Sequence, residues 1–191
     1  MRVLRVCCVA GMFAAALSFT HLSFTKPTFA GNDVTGSLPK DTKDIAVGTT
    51  SGLPVPRFVS LKSDHVNVRG GPTKDNDVSW IYTKTGLPVE ITAEFENWRR
   101  IRDSEGSEGW VYHSLLSGKR TAVVTTKSKD ELAQLHDRAD DSSAIAAQLE
   151  AGVVANVRRC SGTWCRISGA GFDGWIEQER LWGVYPDEKV D

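Results

Sequence analysis

Cys160-Ser161-Gly162 is the sharpest candidate for chemistry in this chain. A thiolate nucleophile needs a neighbouring base, most often an imidazole, to take its proton. No histidine follows His136, Arg159 precedes the cysteine, and the strand pattern around it leaves no helix to carry the thiol. His65, His113 and His136 each stand alone among polar neighbours, without a second ligand at metal spacing. Cys160 and Cys165 have the spacing of half a zinc site, and nothing in the chain supplies the other half. Gly70-Gly71-Pro72 lacks the lysine and helix of a phosphate-binding loop. The acidic runs Asp75–Asp77, Asp103–Glu108 and Asp137–Asp141 lack the register of a calcium loop and read as solvated turn tips. The basic patch of Arg99, Arg100 and Arg102 is offset by Glu94, Glu96 and Asp103. These readings leave no catalytic residue, no metal ligand and no cofactor site to expect.

The elements around these residues are organised by a repeat. Trp98, Arg100 and Ile101 return as Trp164, Arg166 and Ile167 at a shift of 66. Gly109-Trp110-Val111 returns as Gly174-Trp175-Ile176. Short β-branched and aromatic runs separated by Gly and polar turns predict strands, with no long helical period between them. Unit one runs over 57–124, with Thr121–Val124 as its closing strand. Residues 125–131 read as the linker and 132–187 as unit two, opening on Leu132–Leu135. The Ala-rich run Ala144–Ala151 is taken as loop and strand, because unit one has no helix there. Each unit should curl a five- or six-stranded sheet on itself, which removes exposed edges. Trp98 and Ile101, like Trp164 and Ile167, are three apart and would point to opposite faces of an ideal strand. Burying both predicts a β-bulge between them in each copy.

Residues 1–30 have the layout of a signal peptide. Arg2 and Arg5 precede the apolar run Val6–Phe19, and Thr28-Phe29-Ala30 offers small residues at the cleavage positions. Cys7 and Cys8 leave with this segment, and no membrane span remains after cleavage. Of 23 basic and 24 acidic residues, the segment removes Arg2, Arg5 and Lys26, which leaves a net charge of −4. That balance excludes a field attracting nucleic acid or an anionic bilayer. Residues 31–56, rich in Gly, Thr, Pro and Asp, read as a flexible linker. Export, to periplasm or cell envelope, places Cys160 and Cys165 where disulfides persist.

The hairpin between those cysteines has a defined register. If Gly162-Thr163 forms a two-residue turn, Ser161 and Trp164 flank it and Cys160 and Cys165 are the next cross-strand pair. Such a pair has Cα atoms roughly 4.5 Å apart, within the span of a disulfide. A Cys160–Cys165 disulfide is expected. The repeat places Glu94 and Arg99 at the corresponding positions of unit one, an ion pair of roughly 0.2–1 kcal/mol if exposed.

The stretches Val66–Pro72 (VNVRGGP), Asn97–Val111 (NWRRIR, then GWV) and the closing SLLSG together resemble the bacterial Src-homology-3 (SH3) domain. The second copy departs from it at Leu135-His136-Asp137-Arg138, where no Pro follows. The resemblance implies an all-β protein with two small SH3-like barrels in tandem, behind a signal peptide and a flexible linker. It also implies association with cell-wall or peptide recognition. Cys160-Ser161-Gly162 is similar to the motif of exported cysteine peptidases that cut cell-wall peptides, but Arg159 stands where their Asp does and the downstream His is missing. Two functions therefore stand open: a non-catalytic module binding cell-wall peptide or peptidoglycan, or an interaction adaptor docking on an envelope protein. A binding surface needs amphipathic aromatics. Trp80, Tyr82, Trp110 and Tyr112 in unit one, and Trp175, Trp182 and Tyr185 in unit two, form the pool of candidate ligand contacts.

Overall fold

The computed structural model describes residues 46–128 and 130–191. The expected signal peptide and the first part of the linker lie outside the described residues. Among the described residues no helix is long and apolar enough to cross a membrane.

The chain forms two sheets of seven strands, with every pairing antiparallel. The first contains β3 (Arg57–Leu61), β4 (Val66–Arg69), β5 (Val78–Tyr82), β6 (Pro88–Phe95), β7 (Trp98–Arg102), β8 (Glu108–Tyr112) and β9 (Leu116–Ser117). Their order across the sheet is β5-β4-β8-β7-β6-β3-β9. The second contains β10 (Thr121–Val124), β11 (Ala133–His136), β12 (Ile145–Leu149), β13 (Val154–Cys160), β14 (Trp164–Gly169), β15 (Phe172–Glu177) and β16 (Leu181–Trp182). Its order, β12-β11-β15-β14-β13-β10-β16, is that of the first sheet strand for strand. Alternation puts one face of each strand inward. Val66, Val68, Val89, Ile91, Ile101 and Val111 fill the first core; Ala122, Val124, Leu135, Ile167 and Ile176 fill the second. Seven strands, rather than five or six, result because the two-residue β9 and β16 continue the ladder at one edge of each sheet.

The topology corrects the reading of Thr121–Val124. This strand is the counterpart of β3 and opens the second sheet, between β13 and β16, instead of closing the first. All four of its residues are buried. One face enters the second core and the strand also lies against β6 of the first sheet. The connection between the sheets is therefore the short piece 118–120, and residues 125–131 form a loop inside the second unit. Ala144–Ala151 does contain a strand, β12, and no helix.

The expected bulges between Trp98 and Ile101 and between Trp164 and Ile167 are absent, and the ladder is irregular in the neighbouring strand instead. β7 pairs regularly with β8 from Trp98↔Tyr112 to Arg102↔Glu108. The extra residue is in β6, where Ile91 faces Ile101 and Ala93 faces Arg100, leaving Thr92 unpaired. Arg158 is the equivalent in β13. The eight-residue β6 takes the bend, so β7 stays straight. Trp98 and Ile101 accordingly keep opposite faces. Ile101 lies in the core, and Trp98 is covered from outside by the edge-on ring of Tyr112 at 5.5 Å.

Part of the expected linker is ordered. β1 (Ala46–Val47) and β2 (Pro54–Val55) form a small hairpin, whose loop is held by Glu94. The Glu94 carboxylate accepts hydrogen bonds from the Thr50 N–H (3.2 Å), the Ser51 N–H (2.9 Å) and the Ser51 hydroxyl (2.6 Å). Arg57 at 2.7 Å and Arg99 at 3.3 Å complete its shell. The Glu94–Arg99 pair is thus buried, not an exposed surface pair.

The corresponding place in the second sheet holds the Cys160–Cys165 disulfide, with Cα atoms 4.1 Å apart. Gly162, at φ 75°, starts the turn, and the Ser161 N–H donates to the Trp164 carbonyl at 2.9 Å. Here too a terminal segment docks: Cys160 and Val190 exchange backbone hydrogen bonds of 2.8 and 3.2 Å. The short closed loop gives a disulfide contribution of about 2 kcal/mol. Urea unfolding of the Cys160→Ala/Cys165→Ala variant should show a loss of that size, and thiol titration of the denatured oxidised chain starting at Gly31 should find no free thiol.

Aromatic side chains join the two sheets. Phe58 of β3 packs edge-on against Trp182 at 5.0 Å and, with its ring tilted, against Tyr185 at 4.7 Å. The Tyr185 hydroxyl donates to Glu90 at 2.8 Å, and Glu90, itself buried, also pairs with Arg102. Gly183, at φ 124°, passes so close that a Cβ would meet the Thr121 carbonyl oxygen at 2.5 Å.

Candidate ligand-binding groove

A groove of about 810 Å³ opens on the second sheet. Three segments build its walls: the loop 139–141 between β11 and β12, the start of β14, and the 3₁₀ turn Gln178–Arg180. The chain's own tail, at Val184, Pro186 and Asp187, closes the fourth side.

Local hydrogen bonds hold these segments. The Gln178 N–H donates to the Thr163 carbonyl at 2.7 Å, which ties the 3₁₀ turn to the Gly162-Thr163 hairpin. The buried Gln178 side chain grips the tail: its amide N–H donates to the Glu188 carbonyl at 3.1 Å, and its oxygen accepts the Asp187 N–H at 2.7 Å. Glu188 in turn accepts from Arg120 at 2.6 Å and from the Tyr185 N–H at 2.8 Å. Burial pushes the Glu188 carboxyl up, but Arg120 and the Tyr185 N–H hold it below its usual value. In the 139–141 loop, the Ser143 hydroxyl donates to the Asp140 carbonyl at 2.8 Å, and the ring nitrogen Nδ1 of His136 lies 3.1 Å from the Ser143 carbonyl. The Ser142 N–H and hydroxyl hold the Asp140 carboxyl below its usual value.

The floor is apolar and the rim acidic. Leu181 and Val184 are buried beneath the groove, and the half-buried Trp164 stands beside it, its ring edge-on to His136 at 5.6 Å. Asp140, Asp141, Glu177, Glu179 and Asp187 contribute five carboxylates to the lining, and no lysine, arginine or histidine lines it. The nearby Arg180 pairs with Glu131 at 2.6 Å and, more loosely, with the rim carboxylate of Glu177 at 3.5 Å. Among the described residues this leaves four of the five rim carboxylates without a basic partner. A desolvated aromatic face next to several carboxylates suits an ammonium or guanidinium group, by Coulomb attraction and by cation–π contact.

The seven aromatic candidates do not converge here. Trp80 and Tyr82 lie 6.1 Å apart, edge to face, against the first core, and the Tyr82 hydroxyl donates to Asp103 at 2.7 Å. Trp110 and Tyr112 alternate with buried residues on the outer face of β8. Trp175 lies on the corresponding face of β15, paired with Arg166 and His136. Trp182 and Tyr185 join the two sheets. The groove is lined instead by Trp164, read from sequence as a core residue, by Asp140 and Asp141 of a run read as a solvated turn tip, and by Glu177, Glu179 and Asp187, which the sequence did not single out. The signal available in the sequence was the pairing of two acidic turns, Asp137–Asp141 and Glu177-Gln178-Glu179, each beside a strand of the repeat.

The residues weighed for catalysis are placed as structural groups. Cys160 is bonded to Cys165 and both are buried in the second core. Among the described residues no group of three or more His, Cys, Asp or Glu is arranged to hold a metal ion.

No curated protein matches this sequence. Solved structures that do include NlpC2 and NlpC1 from Trichomonas vaginalis, each 14% identical to this chain. The alignments cover 66% and 71% of this chain and 48% of each of those, with TM-scores of 0.30 and 0.29. The chain spans about half the length of these structures. A family model described as the bacterial SH3 domain matches residues 62–118 and 129–183, one match on each sheet. With matches over more than half of its length and the same seven-strand order in both halves, the chain belongs to the bacterial SH3 domain family.

Proposed function

We propose that this protein is a non-catalytic binding protein of the cell envelope, exported by its N-terminal segment, which takes cell-wall peptide into the groove of its second barrel. Bacterial SH3 domains typically bind cell-wall components. The observation that carries the finer reading is the groove itself: five carboxylates and Trp164 around an apolar floor, with no basic side chain in the lining. Cell-wall peptides with a diamino acid carry a free ammonium on a short aliphatic stem. The stem fits the floor and the ammonium fits the rim.

Sedimentation with purified sacculi, followed by titration with soluble wall peptides before and after N-acetylation, tests this reading. Parent protein should bind, acetylation should weaken binding, and Trp164→Ala with Asp141→Asn should weaken it roughly tenfold, given about 1.5 kcal/mol for a hydrogen bond to a charged group. Equal affinity for the acetylated peptide, or no retention on sacculi, would overturn it. Recovery of a stoichiometric envelope protein by in-cell cross-linking, with no affinity for sacculi, would favour the adaptor function instead.

A further inference from the structure

A second cleft, of about 290 Å³, lies where the two barrels meet. Ser60, Lys62, Thr85 and Ser117 come from the first barrel, Thr121 and Asn156 from the second, and Lys119 from the connection between them. Its chemistry is opposite to that of the acidic groove. Two lysines line it and no carboxylate does, in a chain whose net charge is −1. Among the described residues neither lysine has an acidic partner within ion-pair distance. Four hydroxyls and an amide share the walls. One of those hydroxyls is an anomaly. Thr121 is 4% exposed, and its Oγ1 has no hydrogen-bond partner. A buried hydroxyl without a partner costs about 1–3 kcal/mol, and this one is closed off from solvent behind the cleft wall. The cleft exists only in the tandem, because each barrel supplies one wall.

We propose that this cleft binds a small ligand through an oxyanion, a carboxylate or a phosphate. Lys62 and Lys119 supply its countercharge, and the hydroxyls of Ser60 and Ser117 supply hydrogen bonds. The size of the cleft suits a small molecule or the end of a chain rather than a folded partner. The site is independent of the acidic groove and of any wall peptide held there.

The experiment is a titration of the purified protein with inorganic phosphate and, separately, with acetate, followed by amide NMR at ionic strength held constant with sodium chloride. Saturable shifts confined to residues 60–62, 85–86, 117–121 and 154–156 are expected for at least one of the two. Saturation by phosphate alone identifies a phosphate site, and by acetate a carboxylate site. The surface variant Lys62→Gln/Lys119→Gln should keep its fold and weaken that affinity roughly tenfold or more, the scale of hydrogen bonds to charged groups. Non-saturating shifts spread over the surface for both anions, or an affinity unchanged in the double lysine variant, would overturn the proposal.

Discussion

Replacing Glu94 with Gln will destabilise the first barrel by roughly 3 kcal/mol at neutral pH, because removing one partner leaves buried charge uncompensated. The carboxylate side chain is fully buried and faces both Arg57 and Arg99, whose side chains are 17% and 8% exposed. It also caps the lead-in loop through Thr50 and Ser51. The neutral amide keeps an acceptor but leaves two guanidinium groups without their counterion. The pH dependence follows from the same contacts. Burial pushes the Glu94 carboxyl up, but the Ser51, Arg57 and Thr50 hydrogen bonds outweigh it and hold the group at about 2, against an ordinary 4.5. A folded-state value below the unfolded one stabilises the fold above about 4.5 and loses that contribution as pH falls towards 2. Urea unfolding of parent and Glu94→Gln protein between pH 7 and pH 2 should therefore show a gap that narrows in acid. A gap under about 0.5 kcal/mol at pH 7, the range of ordinary surface substitutions, would show that the latch contributes nothing.

Phe58→Ala will loosen one barrel from the other, at a cost of about 3 kcal/mol for deleting a buried Phe side chain. Phe58 sits between the rings of Trp182 and Tyr185, and this contact, with the Tyr185–Glu90 hydrogen bond, holds the barrels together. Scanning calorimetry should show one transition in the parent and two in the variant. Tyr185→Phe tests the polar half of the contact. It leaves Glu90 with Arg102 alone and should cost about 1–3 kcal/mol, the penalty for an unsatisfied buried polar group. A single unshifted transition in Phe58→Ala would mean that the barrels are coupled by the 118–120 connection and β10 alone.

The sequence by itself determined what depends on residues close together along the chain. The repeat at a shift of 66 specified both sheets, because Trp, Gly and β-branched residues at those spacings encode strands and the turns between them. The Cys160–Cys165 pairing was readable for the same reason: a two-residue turn sets cross-strand register on both sides. The bulges were not foreseeable from Trp98 and Ile101: both are buried on opposite faces of a regular strand, so their spacing demands no break in the pleat. The irregularities of the ladder are in the longer β6 and β13.

Only the tertiary structure decided which surfaces are covered. Thr121–Val124 reads equally well as the last strand of one unit or the first of the next; its partners β13 and β16 lie far along the chain. Trp182 and Tyr185 look like Trp164 in sequence, yet the first were drawn against Phe58 and the last was left beside a groove. Glu94 appeared to be a surface acid until the lead-in loop closed over it. Periodicity reports which residues share a face of their own strand. What comes to lie on that face, a second barrel, a tail or a ligand, is set by long-range packing between segments whose local sequences carry no record of one another.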